Sequence, residues 1–338
     1  MTEGHGDDSY KFGRKPTADF SSNIHTHVDH SRLMARIAAS DIDLSHYPDP
    51  LARPLAARIA SWLGVSAGCV MVTNGVTEAI YLIARSIGGK RAAIVEPTFS
   101  EYGDACREAA LKIDHISELG QVSSCHDIVW LCNPNNPTGK ITPREVIIST
   151  AKEYPDTIFV VDQAYSDYTL LHVISPAEAI EAGNIVLLGS FTKRYSLPAM
   201  RIGYAVAPEP IISAINSRRL PWSVNSIAIA AAILLLDDPA LSEKIPVETL
   251  HHEALRLASQ FKEIGIEVLP TDCNFILCRL PEGSNAAQMK LDLMNDYGLL
   301  IRDASNFYGL TPYHFRVAAQ TPAENNLLIE KIKQWLHR

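Results

Sequence analysis

The sequence predicts an α/β protein with a mostly parallel central sheet flanked by helices and a second, smaller α+β domain. Short β-branched runs alternate with longer helical patterns through the middle of the chain, which is typical of strands joined by crossover helices. This alternation stops near Pro239, and 338 residues are more than one small core requires. We therefore expect an N-terminal arm that also forms part of the small domain (residues 1–40), a large domain (41–238) and a small C-terminal domain (239–338).

The alternating runs give the elements of the large domain. Strands are predicted at residues 70–73, 92–95, 128–131, 158–161, 185–188 and 202–207. Helices are predicted at residues 77–86, 100–110 and 143–153, with Thr142 as N-cap of the third and Pro143 at its first helical position. The longest apolar run, 227–236, is about half of the ~20 residues that span a bilayer, so we expect a buried helix there.

The small domain has longer amphipathic patterns. Helices are predicted at residues 247–264, 286–297 and 323–336, and strands at 274–280 and 315–318. The change from short alternating units to long amphipathic helices is the one compositional seam that the sequence offers.

Composition and charge exclude several function classes. The chain is 47% hydrophobic and 20% charged, as in a packed globular enzyme. Its net charge is −8 and its longest basic run is Arg218–Arg219, so we do not expect nucleic acid as a partner. The six cysteines have no paired spacing, which favours reduced core thiols over a metal site. The first ten residues lack an apolar segment, so we expect a cytoplasmic protein with no membrane partner.

Chemistry-bearing residues gather where predicted strands end, the usual ligand edge of an open parallel sheet. Residues 73–78 form an Asn-Gly turn that enters a helix, and such a turn either cradles a phosphate or is only a common connection. Lys193 follows another strand, with Arg201 eight positions later. Alone, Lys193 is equally typical of a solvated loop.

Two further segments converge on the same edge. Asp162 and Tyr165 follow the strand at 158–161, and a carboxylate there is costly unless it meets a cation. Asp162 taken alone is equally typical of an N-cap for the next helix. Residues 133–139, with Asn136, form a turn-rich loop after the strand at 128–131.

These elements together resemble the class I/II aminotransferase superfamily of fold-type I pyridoxal-phosphate enzymes, over essentially the whole chain. The resemblance implies that Lys193 binds pyridoxal 5'-phosphate as a Schiff base and moves protons, and that Asp162 keeps the pyridine nitrogen protonated. Asn136 and Tyr165 would hydrogen-bond the ring oxygen, and Phe99 would stack on the ring.

The resemblance also implies a phosphate site and a dimer. The phosphate ligands would be the backbone NH groups of Val76 and Thr77, the hydroxyls of Ser190 and Thr192, and the guanidinium of Arg201. In this superfamily a tyrosine placed like Tyr47 reaches the phosphate of the neighbouring subunit. A homodimer with shared active sites is therefore expected.

Two regions further resemble the threonine-phosphate decarboxylases, which supply aminopropanol phosphate for cobalamin: residues 4–6 followed by 19–24, and residues 301–310 leading to 315–318. The resemblance implies an anionic amino-acid phosphate substrate, with Arg302 and Arg316 on its carboxylate and phosphate and with Asn136, His5 and Asn23 completing the site. The alternatives are histidinol-phosphate aminotransferase or a related class I/II aminotransferase, and a binding module that keeps this fold without turnover. His5 is equally typical of a disordered tail, and Arg302 of a surface ion pair.

Overall fold

The structure is a computed structural model that describes residues 6–87 and 89–338. In chain order its strands are β1 (Ala18–Asp19), β2 (Val70–Thr73), β3 (Arg91–Val95), β4 (Lys112–Ile116), β5 (Ile128–Cys132), β6 (Ile158–Asp162), β7 (Ile185–Ser190), β8 (Gly203–Val206), β9 (Glu267–Val268), β10 (Phe275–Arg279), β11 (Leu299–Leu300), β12 (Arg302–Asp303) and β13 (His314–Ala318). Its α-helices are α1 (Ser31–Ala38), α2 (Arg53–Leu63), α3 (Gly75–Ser86), α4 (Glu101–Glu108), α5 (Arg144–Glu153), α6 (Pro176–Ala182), α7 (Phe191–Arg194), α8 (Glu209–Asn216), α9 (Ser226–Asp237), α10 (Val247–Glu263), α11 (Ala286–Tyr297) and α12 (Pro322–Leu336).

The central sheet has the order β2-β8-β7-β6-β5-β3-β4. Neighbours from β4 to β7 run parallel, whereas β8 is antiparallel to both β7 and β2. The predicted α/β class with a mostly parallel sheet is confirmed. The edge strand β4 was not predicted, because its sequence Lys-Ile-Asp-His-Ile is half polar and its side chains are mostly accessible to solvent.

Helices cover both faces of this sheet, as parallel sheets require. On one face α2 and α9 pack on alternate strand residues, for example Ile59 and Ala232 against Val161 and Leu187. On the other face α3, α4 and α8 pack on the residues between them. Because both faces of the sheet are buried, we expect ligand-binding side chains of its strands where the strands end.

The small domain has its own core. Strands β12-β13-β10-β9 form an antiparallel sheet, and β1 pairs in parallel with β11. The fully buried side chains of Phe261 on α10, Met289 on α11 and Leu328 on α12 lie in one hydrophobic cluster with this sheet. The pairing of β1 places residues 18–19 on the C-terminal domain, whereas the exact domain boundaries stay a prediction.

Three sequence predictions were wrong in detail. Pro143, rather than Thr142, is the N-cap of α5, because the Thr142 backbone is hydrogen-bonded on both sides by the Asn133 side chain (Thr142 N to Oδ1, 2.8 Å; Nδ2 to Thr142 O, 3.0 Å). The apolar helix α9 is buried on one face only, and Ile227 is 43% exposed. Cys125 is exposed, whereas the other five cysteines are buried.

Among residues 6–87 and 89–338, no helix combines the length and apolarity needed to span a bilayer. The same described residues hold no His, Cys, Asp and Glu cluster suited to a metal ion.

Candidate active site

A cavity of about 550 Å³ opens where β5, β6 and β7 end, between the large and small domains. Twelve of the residues predicted from sequence line it: Val76, Thr77, Phe99, Asn136, Asp162, Tyr165, Ser190, Thr192, Lys193, Arg201, Arg302 and Arg316. Residues far apart in the chain thus meet at one place, because parallel strands bring their carboxyl ends to the same edge.

The remaining predicted residues lie elsewhere. Asn23 does not line the cavity; it is fully buried, with a positive φ of 57°. The Asn23 side chain lies beside Tyr165. Burial raises the pKa of the Tyr165 hydroxyl, and Arg316 and Asn23 oppose that shift. Tyr47 is 82% exposed on the surface, where its ring lies 5.0 Å from that of Trp222. His5 lies outside the described residues.

Lys193 is on the single-turn helix α7, directly after β7. Its Nζ donates a hydrogen bond of 2.9 Å to the backbone carbonyl of Ser22 and lies 5.3 Å from the centre of the Tyr165 ring. Burial, and then the positive charges of Arg316 and Arg201, lower the pKa of this amine to about 8. The neutral amine, the form that attacks a carbonyl carbon, is therefore far more populated near neutral pH than it is for an ordinary lysine.

Asp162 is the last residue of β6, and both of its carboxylate oxygens accept hydrogen bonds. Oδ1 accepts from the backbone NH of Ala164 (2.9 Å) and Oδ2 accepts from the Tyr102 hydroxyl (2.8 Å). Asp162 is not the N-cap of a following helix, since the next α-helix is α6 and its cap is Ser175. Burial raises the pKa of Asp162, so a cation in the cavity would stabilise its charged form.

Sequence analysis missed Tyr102. On the predicted helix it is indistinguishable from an ordinary core aromatic, and only the fold brings its hydroxyl to Asp162. Its position three residues after Phe99 is a weak signal at best.

An anion cradle lies where β2 leads into α3. Gly75 has a φ of +75°, and a Cβ atom there would lie 2.5 Å from Nη2 of Arg201. A Cβ on Gly203 would lie 2.6 Å from the backbone nitrogen of Val76. Both glycines are thus needed for the arginine and the helix terminus to approach each other. The buried hydroxyl of Thr192, which also faces the cavity, has no hydrogen-bond partner within the described residues.

Arg316 on β13 lies on the opposite wall. Its Nη1 donates to Oδ1 of Asn136 and its Nη2 to the carbonyl of Ser21, while Nε has no partner among the described residues. Burial lowers the pKa of this guanidinium to about 10. It stays charged at neutral pH, and its Nε–H is not used by any acceptor among the described residues.

Arg302 on β12 is the register neighbour of Arg316. Its Nη2 donates to Oδ1 of Asn306 (2.7 Å), and its guanidinium lies 5.1 Å from the centre of the Phe307 ring. Burial and then the charge of Arg316 lower its pKa to about 10. Arg302 is not a surface ion pair: it is only 5% exposed. Two buried like charges side by side are costly unless an anion binds between them.

The N-terminal arm closes the cavity from one side. Gly6, Asp7 and Ser22 line it, and Asp8 anchors the arm through a buried ion pair with Lys290 of α11 (2.6 Å). Sequence analysis missed this pair, because nothing in the local sequence links residues 282 positions apart.

Comparisons with known proteins agree with this geometry. The family model of aminotransferase class I and II matches residues 18–332. A histidinol-phosphate aminotransferase of Akkermansia muciniphila is 32% identical over 324 residues, covering 90% of this chain and 86% of the relative. The crystal structure of L-threonine-O-3-phosphate decarboxylase from Porphyromonas gingivalis is 35% identical with a TM-score of 0.90, covering 94% of this chain and 99% of that one. The histidinol-phosphate aminotransferase of Sinorhizobium meliloti, solved with pyridoxal 5'-phosphate, shares the fold at 22% identity and a TM-score of 0.83, covering 96% and 92%.

Proposed function

The chain belongs to the aminotransferase class I and II family, and from this premise we propose that it decarboxylates L-threonine O-3-phosphate to (R)-1-aminopropan-2-yl phosphate. It is a pyridoxal-phosphate enzyme, and pyridoxal 5'-phosphate is its cofactor. The reaction and the substrate are the proposal. In this reading the product would serve cobalamin biosynthesis.

The cavity fits the cofactor at three points. The Gly75 cradle with Arg201 and the unpartnered Thr192 hydroxyl suits a phosphate. The buried Asp162 carboxylate suits a pyridinium nitrogen, and the amine of Lys193 suits an aldehyde carbon. When bound, the cofactor draws electrons away from the α-carbon of an amino acid.

Side chains of the cavity would then bind and orient the substrate. The observation that carries the proposal is the pair of buried guanidinium groups, Arg302 and Arg316, on adjacent strands facing one cavity. A substrate with both a carboxylate and a phosphate supplies the two anions that such a pair needs, and an arginine fork binds either group through paired hydrogen bonds.

Lys193 would transfer the proton that the reaction needs. With a pKa of about 8, its Nζ can hold or release a proton near neutral pH, as a general acid and base must. After loss of carbon dioxide, this amine would protonate the α-carbon. The arm residues Gly6 and Asp7, with Phe307 opposite, would keep bulk water away during this step.

Histidinol-phosphate aminotransferase is the second candidate, since curated relatives at 28–32% identity carry that name. An aminotransferase must also admit a keto acid to the same cavity, and a dicarboxylate keto acid would likewise suit two arginines. The two candidates therefore differ in the bond broken at the α-carbon and in the need for a keto acid, because histidinol phosphate has no carboxylate to lose.

The test supplies the holoenzyme with each substrate under multiple turnover. We expect L-threonine O-3-phosphate to give aminopropan-2-yl phosphate, detected by phosphorus NMR, at a rate independent of added 2-oxoglutarate. Turnover of histidinol phosphate that depends on 2-oxoglutarate, with no product from threonine phosphate, would reject the decarboxylase in favour of the aminotransferase.

A further inference from the structure

The Tyr102 hydroxyl contacts the Asp162 side chain in the cavity, and none of the roles proposed above involves this contact. It donates to Oδ2 of Asp162 at 2.8 Å, while the Ala164 NH holds Oδ1 at 2.9 Å. One donor on each oxygen fixes the plane of the carboxylate. The second lone pair of each oxygen remains available for a ligand.

The ring of Tyr102 is held firmly. It is fully buried, stacked on Trp130 with ring centres 5.3 Å apart and planes 13° apart. Its edge-to-face contact with Phe99 has a centre separation of 5.8 Å and an angle of 84°. One side chain thus touches both the aromatic residue proposed to stack on the cofactor and the carboxylate proposed to meet its nitrogen.

We propose that Tyr102 is a positioning residue that holds the Asp162 carboxylate in its charged form and in the orientation needed to bind the protonated pyridine nitrogen. This inference rests on the role given to Asp162 in the proposed function. Tyr102 acts through Asp162 and has no direct part in the chemistry.

The proton balance supports this assignment. Burial, and then the charge of Asp162, raise the pKa of the Tyr102 phenol well above its usual range, so the phenol stays a hydrogen-bond donor. Burial raises the pKa of Asp162, and the hydrogen bonds from Ala164 and Tyr102 oppose that shift. Removing the hydroxyl should therefore raise the pKa of Asp162 further. The Asp162 side chain would then stabilise a proton on the ring nitrogen less well.

The experiment compares Tyr102→Phe, Tyr168→Phe and Asp162→Asn with the wild type, each loaded with cofactor labelled with ¹⁵N in the ring. Tyr168 is a matched control, because it is also fully buried but its hydroxyl hydrogen-bonds the Lys193 carbonyl and the His25 NH instead of Asp162. The readouts are the ¹⁵N chemical shift of the ring nitrogen against pH, and kcat and KM with threonine phosphate.

We expect Tyr102→Phe to move the nitrogen signal towards that of the unprotonated ring, with kcat reduced about tenfold or more, as for one hydrogen bond to a charged group, and KM little changed. Tyr168→Phe should leave the nitrogen signal in place. An unmoved signal in Tyr102→Phe, or an equal movement in both tyrosine variants, would overturn the inference. If Asp162→Asn also leaves the signal unmoved, the assignment of Asp162 in the proposed function falls with it; a signal moved only by Asp162→Asn rejects Tyr102 alone.

Discussion

At Lys193, burial and two neighbouring guanidinium groups act in the same direction on one amine. The protonated form is poorly solvated and repelled by Arg316 and Arg201, while the carboxylates of Asp19 and Asp162 only partly offset this. A lowered pKa means that the neutral amine predominates above about pH 8 rather than above the ordinary 10.5.

The first prediction concerns the pH dependence of cofactor attachment. The apoenzyme should take up pyridoxal phosphate at a rate that rises with pH through about 8 and then levels, because only the neutral amine of Lys193 reacts. Stopped-flow absorbance measures this rate, and Lys193→Ala should bind the cofactor without the lysine-dependent absorbance. A rate that still rises steeply above pH 10 would show that the amine is not perturbed.

The second prediction concerns Arg302. Replacing it in Arg302→Gln removes a charge-assisted contact to the substrate, about 1.5 to 3 kcal/mol, which is roughly a ten- to hundredfold rise in the dissociation constant of threonine phosphate.

Arg279→Gln is the matched control for Arg302. Arg279 lies on β10 of the same sheet, but it pairs with Glu267 and Glu282 outside the cavity. Calorimetric titration should show unchanged binding in this variant. Equal losses in both variants would remove Arg302 from the substrate site.

The positions of Lys193, Asp162 and Arg201 next to strand ends could be predicted, because the distance in sequence between a residue and an apolar strand can be counted without a structure. The sequence could not predict Tyr102 or Lys290, whose partners are distant in the chain. Asn23 was expected to face the substrate. In the structure its backbone is in the left-handed conformation, and its side chain is fully buried beside Tyr165.

Among the elements, the N-terminal arm depends on α11. The Asp8 carboxylate and the Lys290 ammonium are both nearly buried, 2.6 Å apart. Lys11 lies 3.7 Å from the same carboxylate but is half-exposed, so it can replace Lys290 only in part.

The third prediction is that Lys290→Met destabilises the protein by about 3 kcal/mol or more, because it leaves a buried carboxylate without its main partner. Urea unfolding followed by circular dichroism measures the loss. Asp8→Leu combined with Lys290→Met should recover much of it. Arg58→Met, which breaks the exposed pair with Asp237, should cost less than about 1 kcal/mol. Equal costs for Lys290→Met and Arg58→Met would contradict the structural role of the buried pair.

Most elements could be predicted to within two residues, since buried strands such as β2 and β5 are continuous apolar runs with turns on both sides. Ten described elements were not predicted: β1, β4, β9, β11, β12, α1, α2, α6, α7 and α8. Two of the departures from the prediction have a clear physical cause. The polar edge strand β4 lacks that signal, and at α5 a side chain from another loop, Asn133, takes the backbone groups of the expected N-cap.

At the scale of the whole molecule, the chain exposes large apolar side chains around Tyr47. Leu44, Tyr47, Leu220 and Trp222 are between 47% and 82% exposed. The backbone NH of Trp222 donates to the Pro50 carbonyl (2.9 Å), so the segment around Trp222 lies beside the segment around Tyr47. A patch of this kind is typical of a surface that another protein covers.

The fourth prediction is that the enzyme is a homodimer, with a mass in sedimentation equilibrium of twice the 37.1 kDa of one chain. Leu220→Glu combined with Trp222→Glu should shift it towards monomer and weaken cofactor binding, if Tyr47 completes the phosphate site of the neighbouring subunit. A fully active monomer would contradict the shared active site.

Loss of the carboxylate of threonine phosphate is what separates the proposed decarboxylase from an aminotransferase. The most direct measurement is a single turnover of the holoenzyme with carboxyl-labelled L-threonine O-3-phosphate and no keto acid, following the label and the cofactor spectrum together. We expect the label to leave as carbon dioxide and the starting spectrum to return. Conversion of the cofactor to its amine form with the label retained in the organic product would contradict this expectation and identify an aminotransferase.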